Sequence, residues 1–88
     1  MDTNYQMLLK LLKNFKPQQR GFLTAHEVDL IAKTLCLNQM NVLQLRNLRD
    51  FTVLFLSTCK GTEMDLMDKM SGITSVIDDF IINNGGEV

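Results

Sequence analysis

Pro17 is the only proline in this chain, and on both sides of it apolar side chains recur at the spacing of an α-helix. Proline interrupts helices because it lacks a backbone N–H and clashes with the preceding turn, so long stretches here can remain helical. Glycine occurs only five times, and the 88 residues are rich in leucine and methionine, which favour helices. These features predict one small all-α domain.

The apolar periodicity divides this single domain, residues 1–88, into four predicted helices. Their ranges are about 3–15, 25–36, 39–58 and 63–83, with a frayed tail at 84–88. The second helix has the clearest start, because Thr24 and Glu27 have the spacing of a capping box. Asp2 is the candidate N-cap of the first helix and Asn38 that of the third.

Residues 51–56 also suit a β-strand, because several of them are aromatic or β-branched. A helix is preferred, since the chain offers no second strand for pairing. The third helix is then apolar on nearly every side in its C-terminal half, which predicts that it lies at the centre of the fold or against a partner. We expect a homodimer or a complex with another protein. The predicted anchors are Phe51, Phe55, Met67 and Met70.

The number and spacing of potentially catalytic or metal-binding side chains argue against an enzyme, a metal site and a bound cofactor. His26 is the only histidine and is expected to be exposed in the first turn of the second helix. No serine or cysteine has neighbours that would activate it, and there is no glycine-rich phosphate loop. Cys36 and Cys59 are expected to be free thiols, because a helix about 30 Å long separates them.

Charge and hydropathy argue against a membrane partner. The net charge is −1, which disfavours general binding of polyanions. The most apolar stretch runs from Phe51 to Cys59, whereas about 20 apolar residues are needed to span a bilayer. We therefore expect a cytoplasmic protein.

Gly21 and Glu27 occupy the turn and the last position of a twelve-residue segment that begins at Lys16. In its length and in the positions of this glycine and this glutamate, the segment resembles an EF-hand loop. The positions that would supply carboxylates hold Lys16, Gln18 and Arg20, whereas calcium requires six to eight oxygen ligands. The resemblance therefore implies a helix-loop-helix without a metal ion.

Residues 28–45 carry a second pattern, in which apolar side chains fall at Ile31, Ala32, Leu35, Leu37, Val42 and Leu45. This segment resembles a helix-turn-helix of the bacterial repressor type, with Cys36 in place of the turn glycine. The resemblance implies DNA binding, with Gln39, Met40, Leu43, Gln44 and Asn47 at the major groove and Arg46 and Arg49 near phosphates. The preferred hypothesis is a regulatory or adaptor protein that binds another protein, and the alternative is a transcription regulator.

Overall fold

The computed structural model describes residues 3–15, 23–59, 61 and 64–86, and for residues 3–5 the backbone only. Within these ranges the chain forms four α-helices and no strand. They are α1 (Thr3–Asn14), α2 (Ala25–Leu35), α3 (Val42–Thr58) and α4 (Met64–Asn83), with a short 3-10 turn at Leu37–Gln39. The predicted all-α fold is confirmed, and residues 51–56 are helical. The predicted cap at Asp2 and the segment 16–22 lie outside the described residues.

The fourth helix, not the third, is central to the fold. Helix α4 contacts each of the other three helices, while α1 packs against α2 and α3 packs along α4. Helix α4 can do this because its apolar stripe is broad enough to face two sides, with Met70, Ile73 and Ile77 all fully buried. Within the single chain the third helix is therefore not the central one, and its burial against a partner stays a prediction. The largest fully buried side chains are Leu8, Leu11, Phe15, Ile31, Leu35, Leu37, Leu45, Leu48, Met70, Ile73, Ile77 and Ile81.

The start of α2 follows the sequence prediction. The Thr24 hydroxyl accepts a hydrogen bond from the Glu27 backbone N–H at 3.2 Å, and the Glu27 carboxylate accepts one from the Thr24 backbone N–H at 2.9 Å. This is a complete capping box, which satisfies two N–H groups at the helix terminus. His26 is exposed in the first turn, as expected.

The start of α3 differs from the prediction, because Asn41 and not Asn38 is its N-cap. The Asn41 side-chain oxygen accepts from the Gln44 N–H at 2.8 Å, and the Gln44 side-chain oxygen accepts from the Asn41 N–H at 2.9 Å. Asn38 has no glutamate or glutamine three residues later, so it cannot complete such a box. Asn38 lies instead in the 3-10 turn that precedes the helix.

Helices α3 and α4 form an antiparallel pair joined by polar contacts as well as apolar ones. Near the middle of α3, Arg49 contacts Asp78, and one turn later Thr52 contacts Thr74. The Thr52 side chain is fully buried, and its hydroxyl donates to the Arg49 carbonyl at 2.7 Å while it lies 2.8 Å from the Thr74 hydroxyl. These contacts determine which side of α3 faces α4.

Residues 84–86 of the predicted frayed tail form hydrogen bonds that cap the end of α4. Gly85 has a positive φ of 84°, and its N–H donates to the Ile82 carbonyl at 3.0 Å. The Gly86 N–H donates to the Ile81 carbonyl at 2.9 Å, which completes a Schellman motif. Gly86 also lies against Val42, so the C-terminal cap contacts the start of α3.

Candidate functional site

The predicted anchors are less accessible than the sequence suggested. Phe51 and Phe55 are half-buried and pack against the core, and Met67 is half-buried on α4. Met70 is fully buried inside the chain's own core, so its side chain is not exposed on the surface of the single chain. The physical reason is that Met70 belongs to the face of α4 that contacts the other helices.

The accessible apolar surface of α3 lies on its outward side. Leu43 is 68% exposed and Leu54 is 63% exposed, the two highest values among the large apolar side chains that the structure describes. The buried residues of the helix, Leu45, Leu48 and Thr52, lie on the opposite side. Leucine at these two exposed positions contributes nothing to the core of the single chain.

Leu43, Asn47, Asp50 and Leu54 form one line along this side, which we call the outward stripe. Their separations of four, three and four residues keep all four side chains within a narrow sector of a helix with 3.6 residues per turn. The two leucines are about 16 Å apart along the helix axis. The stripe is therefore apolar at both ends and polar in the middle.

The polar middle of the outward stripe is available for intermolecular contacts. Within the described residues, the Asn47 amide makes no hydrogen bond or ion pair. The Asp50 side chain is 76% exposed, and its Oδ1 lies 3.9 Å from the Arg49 guanidinium. An exposed pair at that distance contributes little free energy, so Asp50 remains able to accept a hydrogen bond from another molecule.

The residues assigned to DNA by the helix-turn-helix resemblance do not all share one surface. Gln39, Gln44, Arg46 and Asn47 are exposed. Arg49 is half-buried and turned toward α4, where its Nε donates to Asp78 Oδ1 at 2.5 Å. The structure therefore separates Arg49 from the other four and assigns it a role in packing.

Most apolar side chains of the segment that resembles a helix-turn-helix are buried in the core. Ile31, Leu35, Leu37 and Leu45 are fully buried and Ala32 nearly so, while Val42 is half-buried. Cys36 has a φ of 57°, the left-handed conformation that glycine adopts most readily. Cys36 therefore ends α2 in a conformation that is less favourable for a cysteine than for glycine.

Sequence reasoning did not single out the outward stripe, although the signal was present. Leu43 and Leu54 are both in a helix that is apolar on many sides, and periodicity alone does not show which side a neighbour covers. The separations of four, three and four residues were the available signal, since they place the two leucines on one line with two polar residues.

The described part of the chain contains no metal-binding cluster, no disulfide and no membrane-spanning helix. No group of three or more His, Cys, Asp or Glu side chains there is close enough to bind a metal ion. Cys36 is exposed and Cys59 half-buried, and both are free thiols. None of the described helices combines the length and the apolar content that crossing a membrane requires.

Comparisons with protein-family models, with curated proteins and with solved structures find no match to this chain.

Proposed function

We propose that this chain is a small, non-enzymatic regulatory or adaptor protein that acts by binding another protein chain through the outward stripe of α3. The observation that supports this proposal is the exposure of Leu43 and Leu54 on one line of a helix whose opposite side is fully buried. Single exposed leucines are common on protein surfaces. Two that share one helix line with a pair of polar side chains form a surface that another chain can cover.

The chemistry of the stripe favours a protein as the partner. Protein interfaces combine apolar contacts with a limited number of hydrogen bonds, and Asn47 and Asp50 supply donors and acceptors between the two leucines. Phe51 and Phe55 each follow a stripe residue and are half-buried, so a partner on the stripe would also cover their exposed edges. A nucleic acid would gain nothing from Leu54 and would be repelled by Asp50.

Site-specific photo-cross-linking tests this proposal in the cells that make the protein. Benzoylphenylalanine replaces Asn47 in one protein and the exposed Lys13 of α1 in a control protein. We expect a discrete adduct from position 47 that is absent from position 13 and is lost when Leu43→Asp and Leu54→Asp are added. Both leucines are largely exposed, so these substitutions leave the fold intact. Equal adducts from the two positions, or an adduct that persists in the aspartate variant, would contradict the proposal.

DNA binding is the second candidate function, favoured by the buried framework of residues 31–45 and by the left-handed Cys36. The exposed Gln39, Gln44 and Asn47 would then contact base edges, and Arg46 a phosphate. Fluorescence anisotropy with a labelled random duplex tests it, at roughly 50 mM and 200 mM salt.

A DNA-binding protein would bind at the lower salt concentration and lose most of its affinity at the higher one, since counterions are released from the phosphates. The substitution Arg46→Ala would weaken that binding, whereas Lys33→Ala on α2 is the control, since Lys33 is exposed and paired with Asp29. Absence of binding at the lower salt concentration would exclude this second candidate for the isolated chain.

A further inference from the structure

The outward stripe of α3 has the same chemical order in both chain directions. Leu43, Asn47, Asp50 and Leu54 are apolar, polar, polar and apolar, and their separations of four, three and four residues are symmetric about the midpoint between residues 48 and 49. A surface with this symmetry is complementary to a copy of itself turned by a two-fold axis. We propose that the partner of the stripe is the same stripe on a second copy of this chain, with the two α3 helices antiparallel. This inference rests on the proposed function and identifies its partner.

Antiparallel pairing about that axis gives every stripe residue a suitable neighbour. Leu43 faces Leu54 of the second copy, and this apolar contact occurs twice. Asn47 faces Asp50 of the second copy, also twice, so that an amide with two N–H donors meets a carboxylate that only accepts hydrogen bonds. Both leucines and Asp50 are exposed in the single chain, and all of them gain contacts in the pair.

The spacing of the stripe is that of a coiled-coil seam. Alternating separations of three and four residues keep a seam facing its partner along two packed helices. Helix α3 has 17 residues, so its length of about 25 Å accommodates the whole stripe. A polar pair inside such a seam fixes the register, because any shift places Asn47 or Asp50 against a leucine.

Charge selects the antiparallel orientation over the parallel one. In a parallel pair in register, Asp50 would face Asp50 of the second copy, and two carboxylates would repel each other. In the antiparallel pair these carboxylates are separated and each faces an amide. Arg46, one residue before Asn47, then lies next to the Asp50 carboxylate of the second copy and adds an opposite charge.

The contact is small, since it consists of one helix side on each chain. Interfaces of this size are at the low end for specific association, so we expect weak self-association. The weight-average molecular mass should rise between roughly 1 μM and 1 mM protein. Sedimentation equilibrium measures this rise. A monomeric mass over the whole range would overturn the proposal.

Cross-linking between two single-cysteine proteins tests the orientation. Cys36→Ser and Cys59→Ser remove the native thiols, and Leu43→Cys or Leu54→Cys is then added to separate preparations, one of which carries a tag. A short bismaleimide is expected to join Leu43→Cys to Leu54→Cys chains in the mixture and to join few chains in either preparation alone. Cross-links formed equally well within each single preparation would indicate a parallel pair and overturn the proposed geometry.

Charge variants at position 47 distinguish a second copy from a foreign partner. Asn47→Asp places a carboxylate opposite Asp50 of the second copy and is expected to weaken self-association about tenfold, while Asn47→Lys is expected to strengthen it. Equal effects of the two variants would overturn the proposed pairing.

If the protein is monomeric and position 47 still forms a photo-adduct with a different protein, the proposal of a second copy is wrong and the proposed function is supported. A monomeric mass together with no photo-adduct from position 47 would contradict both the second copy and the proposed function. An adduct with the mass of two chains, together with the mixed cross-link, supports both.

Discussion

Arg49 of α3 donates its Nε hydrogen to the Asp78 carboxylate of α4, and the two side chains, 32% and 26% exposed, join the two helices across half-buried surface. This contact removes Arg49 from the group of residues that a helix-turn-helix would direct at DNA. It also determines the rotation of α3, because the side that carries Arg49 and Thr52 must face α4 and the outward stripe must then face solvent.

The contribution of this ion pair is measurable by a double-mutant cycle. Arg49→Ala, Asp78→Ala and the double variant are compared by urea unfolding. We expect each single variant to lower the free energy of unfolding by about 1–2 kcal/mol, with a coupling of about 1 kcal/mol, since the pair is charge-assisted and only partly screened by solvent. Asp79→Ala is the matched control, because Asp79 is exposed and adjacent to Asp78 on α4, and it should change stability by less than about 0.5 kcal/mol. A coupling near zero would show that the contact does not stabilise the helix pair.

Thr52 is fully buried between α3 and α4, and its hydroxyl contacts both the Arg49 carbonyl and the Thr74 hydroxyl. Thr52→Val keeps the side-chain volume and removes the hydroxyl, so we expect the free energy of unfolding to fall by about 1 kcal/mol. The loss stays small because the Thr74 hydroxyl can donate to the Met70 carbonyl, 2.8 Å away. Thr52→Ala also leaves a cavity and should cost about 2 kcal/mol. Thermal unfolding of both variants tests whether Thr52→Ala is the more destabilising. Equal decreases in stability would contradict this prediction.

The corrected start of α3 predicts different effects for two asparagines. Asn41→Ala removes the oxygen that accepts the Gln44 N–H, so it should lower the free energy of unfolding by about 1 kcal/mol. Asn38→Ala is the control, because Asn38 is exposed in the 3-10 turn and should have an effect below about 0.5 kcal/mol. Chemical denaturation of the two variants decides between the two helix starts. A larger loss for Asn38→Ala would restore the start expected from the sequence.

Substitution by alanine is expected to have opposite effects on stability at two glycines. At Gly72, inside α4, an added Cβ would lie 3.4 Å from the Leu23 side chain, which is an ordinary contact, so Gly72→Ala should stabilise by about 0.5–1 kcal/mol through helix propensity. At Gly86 the added Cβ would lie 2.7 Å from Ile81 Cγ2 and 2.9 Å from Val42 Cγ1, so Gly86→Ala should destabilise. Differential scanning calorimetry should show a higher Tm for the first variant and a lower one for the second. A lower Tm for Gly72→Ala would mean that Leu23 does not accommodate the extra methyl group.

Much of the fold was predictable because it depends on short segments of sequence. The Thr24–Glu27 capping box links residues three apart, and the apolar repeats of α1 and α4 need only a few turns to be recognised. The missed elements were also local in part. The Asn41–Gln44 box and the two glycines after Asn84 are signals of the same kind, and applying the capping rules there would have located the start of α3 and the end of α4.

The amino-acid sequence by itself determined that this chain forms helices and, through the two capping boxes, where α2 and α3 begin, because those interactions join residues within about one helical turn. Only the tertiary structure decided which side of α3 is covered, because that depends on contacts such as Arg49 with Asp78, which are 29 residues apart. Leu43, Leu48 and Leu54 are chemically identical in the sequence, yet the packing of α4 buries Leu48 and leaves the other two exposed. Burial depends on the position of a neighbouring helix, and a single helical segment carries no information about that position.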